Sequence, residues 1–134
     1  MRFLKLRAQY GLAVLVASVW LTACSAMIGA TPTPDFTQGD PERGKALFSA
    51  TGCIQCHAVV PDVKIVGPSL FEVGARAATH QDGMTAEQYL YESITDPNAF
   101  IVEGFQPDLM PKTFKDILIP EDIADIIAYL ETLH

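Results

Sequence analysis

Cys53-Ile54-Gln55-Cys56-His57 sets two thiols three positions apart and an imidazole directly after the second. Three chemistries use such a set. Two thiols at this spacing, at the end of a helix, can reach the two vinyl groups on one porphyrin edge and form thioethers. His57 then lies beneath the iron as proximal ligand, and C-x-x-C-H is the attachment order of c-type haem. A Cys53–Cys56 redox disulfide would want a preceding strand and a βαβ setting, and the sequence offers neither. A zinc ion would take Cys53, Cys56, His57 and His80, but adjacent Cys56 and His57 suit tetrahedral ligation poorly and there is no second C-x-x-C. One haem c, covalent through Cys53 and Cys56, is the expected cofactor.

A haem iron has a second face. Phe105-Gln106-Pro107-Asp108-Leu109-Met110-Pro111 puts Met110 between two prolines, in a loop that cannot be helical throughout and so is held away from an ordinary core role. Its thioether is the expected sixth ligand, since His/Met ligation is a common arrangement. His80, in Thr79-His80-Gln81-Asp82, and Met84, in Gly83-Met84-Thr85, are competing donors. Gap-filling packing of Met110 and an open sixth position also remain.

Helices must position these groups. Asp40-Pro41-Glu42 opens a first helix, running to about Ala50, with an N-cap residue, a proline at the first helical position and an early acid. Gly67-Pro68-Ser69-Leu70-Phe71-Glu72-Val73-Gly74 reads as a loop followed by a turn or two of helix. Thr85-Ala86-Glu87-Gln88 fits a capping box for a helix over about Ala86 to Thr95, stopped by Asp96-Pro97. Ile123, Ile126, Ile127, Leu130 and Leu133 recur at helical spacing, which predicts an amphipathic terminal helix from about Pro120 to Leu133. Sustained period-two alternation is absent. The expected fold is all-α, a bundle of three to five helices around one haem.

The chain has 134 residues, 49% of them apolar, enough for one small domain and hardly two. Three of its nine basic residues, Arg2, Lys5 and Arg7, lie in the first seven positions, while all sixteen acidic residues lie from Asp35 onward. A surface that acidic repels phosphate backbones and anionic lipid, which argues against nucleic acid as a partner and for partners with positive patches. Lys45, Lys112 and Lys115 lie near the haem motif and Met110 in sequence, so the haem edge is expected to be less negative than the rest.

Behind the cationic start, Tyr10 to Leu21 is an apolar run with the layout of an export signal. It ends in Leu21-Thr22-Ala23-Cys24, which resembles the lipobox of bacterial lipoproteins and implies lipidation at Cys24. An uncleaved helix is the alternative, because about 20 apolar residues span a bilayer; cleavage to a soluble protein is another. The expected organisation is residues 1–23 as signal peptide or anchor, 24–38 as lipidated Cys and extended linker, and 39–134 as the domain. Thr31-Pro32-Thr33-Pro34 favours extended backbone in the linker.

Over 39–134 the sequence resembles the class I c-type cytochromes. Gly44 and Phe48, with Tyr129, look like the family's helix-crossing pair. Gly67-Pro68-Ser69-Leu70 looks like the loop whose Pro68 carbonyl accepts a hydrogen bond from the proximal His57. Glu92 to Ala99, then Gly104-Phe105 and Met110-Pro111, is similar to the axial-Met half of bacterial cytochromes attached to terminal oxidases or quinol-oxidising complexes. The resemblance implies a membrane-tethered carrier of single electrons in a respiratory or photosynthetic chain, with redox proteins as partners and no enzyme activity. Enclosure by Leu70, Phe71, Ile94, Phe100 and Leu109, together with Met ligation, is expected to raise the reduction potential. The alternatives are a peroxidase-like haem enzyme with a displaceable sixth ligand and a non-haem dithiol or zinc domain.

Overall fold

The computed structural model describes residues 35–134. The expected signal or anchor, Cys24 and most of the linker lie outside the described residues. Six α-helical segments are found and, among the described residues, no strand. Three are full helices: α1 (Pro41–Ala50), α4 (Ala86–Thr95) and α6 (Pro120–Glu131). The others are single turns: α2 (Cys53–Cys56), α3 (Val73–Arg76), which continues into a 3-10 turn over Ala77–Thr79, and α5 (Phe114–Ile117).

Crossing of α1 and α6 forms the centre. The Asp40 carboxylate accepts from the backbone N–H of Glu42 and Arg43, at 2.9 and 3.2 Å, and caps α1. A Cβ on Gly44 would run into the Asp125 carbonyl, so only glycine lets the two backbones approach this closely. One turn on, Phe48 meets Tyr129 with ring centroids 5.5 Å apart. At this crossing Asp125 is 2% exposed. Its carboxylate accepts from the Asp40 N–H at 2.7 Å and pairs with Arg43, which satisfies a charge that would otherwise be costly to bury. In return, the hydrogen bond to Asp125 pushes the Arg43 pKa up.

The Thr85 hydroxyl accepts from the Gln88 N–H and the Gln88 side chain accepts from the Thr85 N–H, so the capping box forms and α4 has the expected span. Tyr89, Leu90 and Ile94 are its buried residues, while α6 buries Ile123, Ile126, Ile127 and Leu130. α6 ends at Glu131, short of Leu133, because the Thr132 hydroxyl takes the Tyr129 carbonyl at 2.6 Å and tightens the last turn. Ordered packing begins ahead of Gly39: Phe36–Gln38 forms a 3-10 turn, and Phe36 lies 5.2 Å from the Tyr91 ring.

Candidate functional site

Cys53 and Cys56 lie on α2, a turn of their own, and not at the end of α1. Gly52, at φ 85, turns the chain between the two helices in a conformation that costs glycine little. Three positions apart on one helical turn, the two free thiols share a face. Burial pushes the Cys53 thiol pKa up. The Thr51 hydroxyl donates to Leu47 O at 2.8 Å and lies 3.3 Å from Cys53 Sγ.

His57 closes α2, its N–H donating to Cys53 O at 2.9 Å. Its Nδ1 lies 2.9 Å from Pro68 O. A carbonyl only accepts, so this bond assigns the ring proton to Nδ1 and leaves the Nε2 lone pair free for a metal. The N–H groups of Val66 and Gly67 both donate to Cys56 O, at 3.2 and 2.9 Å, and bring the loop back over the imidazole. Gly67 packs so tightly there that a Cβ would meet Nδ1 at 2.9 Å and Nε2 at 3.0 Å. Arg76 braces the same loop from outside, donating from Nη2 to Ser69 O at 3.0 Å and to Phe71 O at 2.8 Å. Sequence reasoning missed Arg76. Its only local signal is a basic residue in the last turn of a one-turn helix.

A cavity of about 460 Å³, within the usual range for cofactor sites, opens beside this helix. Cys53, Cys56, His57, Pro68 and Met110 all line it, and no Asp, Glu, Lys or Arg does. Of the expected enclosing residues Leu70, Ile94, Phe100 and Leu109 are in the wall, but Phe71 is not. The chain reverses at Glu72, φ 55, and Val73 takes the place in the wall and the core.

Neither competing donor lines the cavity. His80 stacks on Tyr89 with centroids 4.8 Å apart, and its Nε2 lies 3.4 Å from Arg76 Nη1. Burial and then the Arg76 charge push the His80 pKa down. Met84 packs against the hydrophobic core. Among the described residues no three His, Cys, Asp or Glu side chains gather as a metal set, so Cys53, Cys56, His57 and His80 do not form a zinc site.

Lys64 Nζ sits 5.0 Å from the centroid of Phe105, joining the His57 loop to the Met110 loop by a cation–π contact. Lys112 pairs with Asp108 at 2.6 Å. Two thiols at one edge, an imidazole with its free nitrogen set by a carbonyl, a thioether and an uncharged wall fit a flat, largely apolar macrocycle held by its edge and ligated through its metal.

The sequence profile of the Cytochrome c family matches residues 41–134. The chain is 36% identical over 101 residues to a cytochrome c2 of Rhodopila globiformis, covering 71% of this chain and 94% of that protein. It is 42% identical over 41 residues to a cytochrome c-551 of Pseudomonas denitrificans, covering 31% of this chain and 48% of that one.

Proposed function

Since this chain belongs to the cytochrome c family as a class I c-type cytochrome with covalently bound haem c, we propose that Cys53 and Cys56 hold the haem, that His57 and Met110 ligate its iron, and that the protein passes single electrons between redox partners. Bound in this way, the haem supplies one-electron exchange between ferric and ferrous iron at the porphyrin edge. The lining of one uncharged cavity by both thiols, the imidazole and Met110 carries the reading. Pro68 orients the imidazole and strengthens it as a donor. Met110 contributes a weak, soft donor that favours ferrous iron, and the uncharged wall disfavours the extra charge of the ferric state. Both raise the potential.

If His57 and Met110 both hold the iron, no ligand position would be left for oxygen, peroxide or substrate, which supports an electron carrier over an enzyme. The domain works outside the cytoplasm, tethered by lipid at Cys24 or by an uncleaved N-terminal helix, as a subunit or close associate of a respiratory or photosynthetic membrane complex. The apolar run ending at Leu21-Thr22-Ala23-Cys24 supports the tether.

A redox titration of Met110→His tests the ligand: the potential falls substantially if Met110 binds iron, and an unchanged potential removes it. Carbon monoxide added to the reduced protein at neutral pH leaves the spectrum unchanged for the carrier, whereas binding favours the peroxidase-like alternative. Mass spectrometry of the N-terminal peptide decides the tether, since an intact Met1 peptide excludes lipid at Cys24.

A further inference from the structure

The loop that carries Met110 is fastened to its own start by a side chain. Asn98, just beyond α4, donates from Nδ2 to Asp108 Oδ1 over 2.8 Å, and its Oδ1 accepts from the Asp108 backbone N–H over 3.0 Å. One side-chain amide is thus used at both ends, tying the start of the loop to a position just before Met110. Asp108 itself sits at φ 63, a left-handed conformation that aspartate and asparagine tolerate better than most residues. Asn98 lines the cavity along with Gln106, Leu109 and Met110, so the tie is made at the cavity wall.

We propose that Asn98 is a positioning residue for Met110: its reciprocal hydrogen bonds with Asp108 close the loop and hold the thioether at the cavity. The inference rests on Met110 being the sixth ligand. A tied loop has already lost the freedom that a released one would have to give up on ligating, so an outside donor competes poorly with it. Without the tie, the loop opens more readily and a small donor takes the place of the thioether. The Lys112 ion pair reaches the same carboxylate, and the choice of variants separates the two contacts.

The test uses the ferric holoprotein, with imidazole as competing donor and the thioether-to-iron absorption band as a second readout. Asn98→Ala removes both hydrogen bonds of the tie, whereas Asp108→Gly removes the one to the carboxylate, leaves the residue-108 N–H in place and accommodates the left-handed backbone. Asn98→Ala is expected to raise imidazole affinity about tenfold, in keeping with two lost hydrogen bonds, and Asp108→Gly by a smaller factor, in keeping with one; both weaken the band. Asp108→Asn keeps the acceptor oxygen while discarding the Lys112 ion pair, and is expected to keep the affinity of the unsubstituted protein. Met110→Ala is the reference: if it leaves band and affinity unchanged, Met110 is not the ligand and the reading beneath the proposal fails. If Met110→Ala alters both but Asn98→Ala and Asp108→Gly alter neither, the positioning role is overturned while the ligand stands. A loss of thermal stability in those two variants at unchanged imidazole affinity overturns it equally, since Asn98 would then serve only the fold.

Discussion

A methyl group at Gly67 would press on the imidazole of His57, whose Nδ1 is already held by Pro68 O at 2.9 Å. Gly67→Ala therefore tilts the ring or breaks that hydrogen bond. Loss of the bond makes the imidazole a weaker donor to ferric iron, so the potential is expected to rise, with a stability cost of about 1–3 kcal/mol. Redox titration and denaturant unfolding of the variant check both. His80 carries a pH effect of its own. Its pKa lies below the ordinary 6.5 because burial, and then Arg76, disfavour the charged ring. On acidification below about 6.5 the unfolded chain takes up this proton before the folded one does, so the folded state loses stability until the lowered pKa is passed. Unfolding measured over a pH series is expected to show a shallower loss in that window for His80→Gln. Unchanged slopes would show that the imidazole titrates alike in both states.

Among the elements, α4 was legible because its signals are local: the capping box lies within four residues and Asp96-Pro97 stops the helix. α2 and α5 were not, since a single turn carries no periodicity and owes its existence to its surroundings. Phe114, which opens α5, is buried and lines the cavity, yet Lys112-Thr113-Phe114 gave no sign of either. The crossing of α1 and α6 makes a prediction whose sign is informative. In an ordinary helix interior Gly→Ala stabilises by about 0.8–1.0 kcal/mol. At Gly44 the new Cβ meets the Asp125 carbonyl, and the expected outcome is a loss of about 1–3 kcal/mol or more. Thermal and denaturant unfolding of Gly44→Ala decide between the two signs.

Across the whole molecule the net charge of −7 sets how partners approach. Among the described residues Lys112 is paired with Asp108, so of the three lysines expected to relieve the acidity at the haem edge Lys45 and Lys115 are left outside an ion pair. Oxidation of the reduced protein by ferricyanide, an anion, is expected to speed up as salt is added, and oxidation by a cationic cobalt complex to slow down. Stopped-flow rates over a salt series check this. The reverse pattern for ferricyanide would mean that the two free lysines govern the encounter.

Five consecutive residues announced the covalent cofactor, because thioether formation and proximal ligation depend on spacing within a single turn of chain. Helix starts at Asp40 and Thr85 were equally legible, their hydrogen bonds reaching no further than three residues. The flanking prolines singled out Met110 over Met84 and His80 as the expected second donor, but its place in the cavity wall, with His80 stacked on Tyr89 outside it, was set by packing. Tertiary structure likewise exchanged Phe71 for Val73, recruited Arg76 as a brace and joined Asn98 to Asp108. Each of these depends on where distant backbone lies, and that position is set by burial summed over the whole core.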